Sequence, residues 1–417
     1  MFALHRFMND RSLWHHALSR LLGIFPQPYL SRRLQELTAD ELKAYVIHSA
    51  KLDTRWHRVD YRPREVRNFQ CDSTVEHVNL VAGGSWVVVV LYNGTLQLQE
   101  LGAPCPAVTL SHCLTEEESV FYLSSRLSFS DDHEDLVILQ MGVRQCNIYV
   151  YHVSVVDPMP AFRLVGKISV TGFIWCCEMV LHVCAIDTDN PEPQRPQVSM
   201  NIGSWSADED FSISVLSEHQ LLLTHHGGLS LYEIPSASPD ATQARRVRPA
   251  WSKRCDIGSG IYRISSFSWD AHRHPVVVIG THALHVLRPG NSGEGADVDY
   301  REIPYPLSPG TRLGYMGLGS VGLRRAIWDC TEARNGALHV HFCTYSLPRS
   351  ILGLHEDDPD FGREGIGVSG RIGSFMVALD PEEHLVNLCL EESSGRVCLL
   401  LNNIVTGARR ISVIDAV

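Results

Sequence analysis

The stretch VEHVNLVAGGSWVVVVLYNGTLQLQEL, Val75 to Leu101, decides how the chain is read. Val78 and Leu80 alternate with polar residues, Gly83-Gly84 breaks the run, and Trp86 to Leu91 is apolar throughout. Asn93-Gly94 then separates that run from Leu96, Leu98 and Leu101, which alternate with polar side chains. A period of two marks a strand. Asn-Gly between two apolar runs is the strongest short-range hairpin signal, because both positions of a two-residue turn need positive φ. The stretch therefore predicts three short strands, the last two joined by a two-residue turn.

Outward from that unit the same pattern returns. Phe121 to Val153 holds a strand at Leu127 to Phe129, a break at Asp131-Asp132, a strand at Leu136 to Leu139 and the alternating Ile148, Val150 and His152. Phe211 to Ile234 repeats it around Gly227-Gly228, and Ile264 to Leu287 does so with Phe267-Trp269, Val276 to Ile279 and Ala283-His285-Leu287. Phe375 to Leu401 closes the series with Leu385 to Leu388, Ser393-Ser394-Gly395 and Val397 to Leu401, and two weaker copies lie near Phe173 to Met200 and Leu318 to Tyr345. Copies spaced about 40 to 55 residues apart suit four-stranded propeller blades. About seven of them fit a closed ring that leaves no bare sheet edge between neighbours. The expected fold is mainly β, a β-propeller of about seven irregular blades over residues 61–417. No copy carries a clean Gly-His and Trp-Asp pair, so the repeat is WD-like only in a degenerate sense. A two-sheet sandwich with long insertions is the alternative.

Before the repeats the period is helical. Asp10 caps a helix over residues 10–22 whose apolar face carries Leu13, Trp14, Ala17, Leu18, Leu21 and Leu22, and Gly23 supplies a stop. Pro26 and Pro28 make a connector, and Thr38-Ala39-Asp40-Glu41 is a capping box that opens a second helix with Leu42, Tyr45, Val46 and Ala50 on one face, ending near Leu52 or Trp56. Two helices this short bury too little to stand alone, so residues 1–60 must pack on the rest of the chain or on a partner.

The segment Asn9-Asp10-Arg11-Ser12-Leu13-Trp14 resembles the closing stretch of an F-box, in which a polar turn leads into a Leu-Trp pair. Leu37 to Leu42, followed by Ala50-Lys51-Leu52-Asp53 and Arg55-Trp56, resembles the linker helix of F-box proteins from the mushroom-type fungal expansion, in which a propeller-like region follows. An F-box opens with a Leu-Pro element and two further helices that this sequence does not display ahead of Phe2, so the expected F-box is truncated. The resemblance implies a substrate receptor of an SCF-type ubiquitin ligase, with Leu13, Trp14 and Leu18 facing the adaptor that links it to a cullin. From the residue pattern alone, Leu13 and Trp14 read first as core positions of an ordinary helix, since an apolar stripe is more often core than interface.

Composition narrows the function classes. Of 417 residues, 44% are hydrophobic and 20% charged, an ordinary globular balance. With 36 basic against 47 acidic side chains the net charge is -11, which argues against general affinity for nucleic acid or anionic membrane and leaves a protein partner as the expectation. His5, Arg6 and Asp10 interrupt any apolar leader, and Trp86 to Leu91 is too short to cross a bilayer, so the cytoplasm or nucleus is expected. Twelve cysteines stand at no C-x-x-C spacing and read as free thiols of a reducing compartment.

Candidate chemistry is sparse. His355-Glu356-Asp357-Asp358-Pro359-Asp360 lacks the ordered ligands of a calcium loop, and the pairs His272/His274 and His339/His341 lack a third ligand. The basic run Arg245-Arg246-Val247-Arg248, with Trp251, Lys253 and Arg254, reads as a segment between blades in which Arg248 and Trp251 are the candidate partner-binding residues. No metal, cofactor or catalytic residue is expected, and the chain is read as a binding module, not an enzyme. A stand-alone propeller scaffold is the second reading. A propeller hydrolase, with carboxylates converging from distant strands, is the third.

Overall fold

The computed structural model describes residues 10–24, 34–56, 58, 62–71, 75–81, 83–111, 120–127, 135–141, 145–155, 160–171, 178–183, 193–194, 198–204, 211–216, 219–225, 227–235, 245–255, 276–280, 283–289, 298–304, 316–321, 325–334, 337–346, 371–377 and 379–415. Two helices come first: α1, Arg11–Ile24, and α2, Ala39–Trp56. Gly23 does not stop α1; it lies inside its last turn. The next element, β1 (Arg64–Cys71), is a strand that belongs to the far end of the chain.

The described strands form seven sheets in chain order, mostly antiparallel meanders. The first holds β2 (Val75–Leu80), β3 (Trp86–Leu91), β4 (Leu96–Glu100) and β5 (Val108–Leu110). The second holds β6 (Val120–Leu127), β7 (Asp135–Met141), β8 (Gln145–Ser154) and β9 (Ala161–Thr171). The third begins with β10 (Glu178–Val183). Its neighbour in sequence, the two-residue β11 (Pro193–Gln194), instead pairs parallel to β9, and β12 (Val198–Ser204) lies beside β10. The fourth contains β13 (Phe211–Val215), β14 (Gln220–His225) and β15 (Gly228–Glu233). Two short strands then separate: β16 (Arg245–Arg246) completes the third sheet beside β12, and β17 (Trp251–Arg254) completes the fourth beside β15. The fifth is β18 (Val276–Ile279), β19 (Ala283–Pro289) and β20 (Val298–Pro304), and the sixth is β21 (Met316–Val321), β22 (Arg325–Arg334), β23 (Ala337–Ser346) and β24 (Arg371–Met376). The seventh is β25 (Glu383–Glu391), β26 (Arg396–Asn403) and β27 (Arg409–Asp415), with β1 as its outermost strand.

Packing distinguishes a propeller from a sandwich. A sandwich strand buries one face, whereas Val87, Val88, Val89 and Val90 of β3 are all buried. Val88 and Val90 pack with Tyr151 and Val153 of the second sheet, while Val87 and Val89 pack with Cys398, Leu400, Ile411 and Val413 of the seventh. The seventh sheet repeats the arrangement: Val397, Leu399 and Leu401 face Ile327 and Phe342 of the sixth. In the fourth, Leu221 and Leu223 meet Val198 and Met200 of the third, and Leu222 meets Val276 and Val278 of the fifth. Leading strands also touch in sequence, β18 with β21, β21 with β25, β25 with β2, and β2 with β6. Among the described residues the first, fourth and seventh sheets are each packed on both neighbours, and the fold is a β-propeller with a short helical head. The ring is fastened by β1, which runs antiparallel to β27 from Arg64↔Asp415 to Cys71↔Arg409.

Several expectations need correction in detail. The Asn93-Gly94 hairpin is a three-residue turn: Gly94 N–H donates to Leu91 O at 2.9 Å, Leu91 N–H donates to Thr95 O at 2.9 Å, and Gly94 takes the left-handed position, φ 79°. Phe375 belongs to β24 of the sixth sheet and not to the last repeat. Phe267-Trp269 and Asp131-Asp132 lie outside the described residues, and of Leu127 to Phe129 only Leu127, the end of β6, is described.

Candidate protein-interaction surfaces

The helical head is built from local rules. Asp10 Oδ1 accepts from Ser12 N–H at 2.9 Å and from Ser12 Oγ at 2.7 Å, and these bonds hold its carboxyl below the usual carboxylate range. At α2 the capping box closes as read: Glu41 N–H donates to Thr38 Oγ1 at 3.3 Å, and Thr38 N–H donates to Glu41 Oε2 at 2.8 Å. Arg11 then ties the helices together, its guanidinium donating to the carbonyls of Leu37 at 3.0 Å and Gln35 at 2.6 Å.

The three head residues singled out from sequence end up in different settings. Leu18 is 3% exposed and packs on Leu37 and Leu42, so it holds α1 against α2 and offers no surface to a partner. The reason is plain: it is the central apolar position of a two-helix contact. Trp14 is half-buried beside the same cluster, with Lys43 Nζ 5.9 Å from its ring centre. Leu13 is half-exposed on the neighbouring side of α1.

The C-terminal half of α2 is part of the propeller. Leu52 and Trp56 join a core cluster with Ile327, Phe342, Phe375, Leu388 and Val397. Thr344 Oγ1 donates to Trp56 O at 2.7 Å, Ser374 N–H donates to Arg58 O at 3.1 Å, and His48 Nε2 lies 3.0 Å from Ser394 O. Asp53 pairs with Arg325, which also donates to Glu392 O at 3.0 Å. The head therefore sits on the face where β22 and β24 begin and β23 ends in the sixth sheet, and where β25 turns into β26 in the seventh. Sequence reasoning missed Arg11, His48, Asp53 and Arg325. Their partners are long-range, and no local pattern announces them.

The second surface is the basic run. Arg245, Arg246, Arg248, Lys253 and Arg254 are all exposed. The run is not a free loop: its ends are β16 and β17, and the segment between is pinned by Val247 N–H on Asn201 O at 2.9 Å and Ala250 N–H on Leu231 O at 2.8 Å. Arg248 is exposed on that bridge. Trp251 is half-buried, packs on the core between the fourth and fifth sheets, and stands 5.9 Å from Tyr300, ring centre to ring centre. Packed in this way, Trp251 anchors the strand that carries the charges.

Behind Trp251 lies a polar cluster. His285 Nδ1 is 2.9 Å from the Tyr300 hydroxyl, which donates to Glu302 Oε2 at 3.3 Å, and Lys253 Nζ is 5.1 Å from the centre of the Tyr300 ring. Burial first, then the neighbouring Cys255 and Glu302, push the Tyr300 hydroxyl well above its ordinary pKa. The cluster ties β17, β19 and β20 together. Among the described residues no three His, Cys, Asp or Glu side chains converge as metal ligands. His272, His274, the acidic run 355–360 and the glycine-rich stretch 362–370 lie outside the described residues; His339 and His341 stand on β23, with only their backbone described. No described helix is long and apolar enough to cross a membrane.

No family model and no curated protein matches the chain, so the likeness of the head to an F-box stands on its residues alone. Among solved structures, the chain is similar to Raptor of Chaetomium thermophilum at 8% identity and a TM-score of 0.47, over 91% of this chain and 32% of that one. It is also similar to the β-propeller domain of Cps50 (Swd1) of Myceliophteria thermophila at 11% identity and a TM-score of 0.44, over 85% of this chain and 99% of that one. The chain spans about a third of the Raptor chain it matches. Sheet order, two-sided packing and the closing strand define the fold independently of these likenesses.

Proposed function

We propose that the chain is a protein-binding propeller acting as the substrate receptor of an SCF-type ubiquitin ligase, with the helical head toward the adaptor and the propeller toward the substrate. The observation that carries this reading is the embedding of α2 in the propeller: Leu52 and Trp56 lie in its core, and Asp53 pairs with Arg325. A receptor has to hold its substrate at a fixed position relative to the ligase, and a helix rooted in the binding domain supplies that rigidity. Leu13 and Trp14, both only part-buried, are the residues through which the head would meet the adaptor.

The test is co-purification with the cullin-linking adaptor followed by size-exclusion chromatography. Co-elution that Leu13→Asp with Trp14→Ala abolishes supports the reading; independent elution of the folded chain overturns the ligase link. In that case the second reading applies, a propeller scaffold with no ubiquitin connection. The burial of Leu18 against Leu37 and Leu42 favours it, since the head already spends part of its apolar face on itself.

A further inference from the structure

Residues 245–254, RRVRPAWSKR, place five cations and no acid in ten positions of a chain whose net charge is -11. Among the described residues none of these five cations forms an ion pair, unlike Arg325, Arg409 and Arg410, which are matched by Asp53, Glu76 and Glu383. A solvated basic loop would be unremarkable. Here, however, four of the cations stand on two strands that each end the strand order of their sheet, β16 after β12 and β17 after β15, and Arg248 lies on the bridge between them. No described strand covers the outer edge of either.

The ladder shows which groups that edge offers. Trp251 pairs with Leu231, Lys253 with Leu229, and Cys255 N–H donates to Gly227 O at 3.4 Å. Hydrogen bonds alternate along an antiparallel pair, so the N–H groups of Ser252 and Arg254 point away from β15. A strand edge with free N–H groups is a template for another extended chain. The edge is also held in place, because Trp251 is wedged against Tyr300 and Ala250 and Val247 are bonded into the neighbouring sheets.

We infer that the outer edge of β17, with Arg248, Lys253 and Arg254 around it, binds an acidic, extended segment of a partner protein as an added strand. Backbone pairing along Ser252 and Arg254 supplies register, and the cations select Asp- or Glu-rich sequence. A single-stranded nucleic acid fits less well: it needs an aromatic face for stacking, and the Trp251 ring is packed on Tyr300. The inference rests on the chain being a protein binder and is independent of the ubiquitin link.

The experiment uses the full chain and a fluorescein-labelled peptide of alternating Glu and Val, read by anisotropy at low and at physiological salt. A Lys-Val peptide and a single-stranded oligonucleotide of equal charge to the Glu-Val peptide serve as comparisons. The Glu-Val peptide should bind, more weakly as salt rises. Arg248→Glu with Arg254→Glu should weaken it at least about tenfold. Ser252→Pro, which removes an outward N–H and no charge, should also weaken it several-fold, while the melting temperature of the protein stays within a few degrees. No binding of the Glu-Val peptide by the folded chain overturns the proposal. So does oligonucleotide binding that is tighter than the peptide's and indifferent to Ser252→Pro. Failure of adaptor co-elution would leave all of these readouts unchanged.

Discussion

Arg325 is 2% exposed, a depth at which a guanidinium persists only with partners. Its side chain meets Asp53 of α2 and the carbonyl of Glu392, while its own N–H donates to Glu392 Oε1 at 2.7 Å. Removing one member of such a set leaves the others desolvated. Arg325→Ala is therefore expected to cost on the order of 3 kcal/mol, read as a lowered urea midpoint with an unchanged slope. Glu383 offers a pH-dependent counterpart. Arg410 donates to both of its carboxylate oxygens, at 2.8 and 2.6 Å, and these bonds hold its pKa below the ordinary value. A carboxyl depressed by folding stabilises the protein above its unfolded pKa and loses that contribution as pH falls through the folded one. Glu383→Gln should accordingly melt below the parent protein at neutral pH, and the gap should narrow as the pH is lowered through and below the carboxylate range; a gap that stays constant would exclude this linkage. Neither pair was legible in the sequence. Asp53 and Arg325 lie 272 residues apart, and Arg and Asp at such distances carry no pattern. By contrast the Asp10 cap and the Thr38–Glu41 box were legible, because all the groups involved lie within three residues.

The elements were read best where a pattern was local and strong. β2 and β4 lie where alternation put them and β3 where the unbroken apolar run did, and of the two ends expected for the second helix, Leu52 or Trp56, the later is the one observed. β1 escaped notice because REVRNFQC carries only two large apolar residues in eight and its hydrogen-bonding partner is the last strand of the chain. The basic run read as a segment between blades, since a two-residue and a four-residue strand are too short to show a period. The junction of α2 with the β25–β26 hairpin gives a sharp test. Gly395 has φ +71°, and a methyl group built there would meet Leu52 Cδ1 at 2.3 Å. Gly395→Ala should destabilise the protein by about 1–3 kcal/mol. Leu52→Ala alone should cost about 2–5 kcal/mol. The two changes should be less than additive in a double-mutant cycle, because the smaller side chain at position 52 makes room for the new methyl. Strict additivity would mean that α2 does not sit on that turn in solution.

For the molecule as a whole, two-sided burial of β3, β14 and β26 makes the first, fourth and seventh sheets depend on both neighbours. Stability should therefore be shared around the ring. Hydrogen exchange measured by mass spectrometry is expected to show β1 and β27 as protected as β26, despite β1 being an outermost strand; early exchange of β1 alone would indicate a ring that opens at its seam. That the chain is a propeller of recurring β-units was legible, since every copy must satisfy the same packing problem. How the ring is fastened was not, because a closing strand answers to the C-terminal sheet and not to its own neighbours.

The fastening also sets a timetable for assembly. Arg409 and Glu76, the ion pair beside the seam, are 333 residues apart. At synthesis rates of roughly 5–20 residues per second, the strand that receives β1 leaves the ribosome about 20 to 70 s after its partner. During that interval β1 has no ladder, and the face of the first sheet that will meet the seventh, with Val87 and Val89, is bare. The nascent chain thus carries an unsatisfied surface for most of its translation, and a stalled or shortened transcript would release a crescent with two sticky ends instead of a smaller ring.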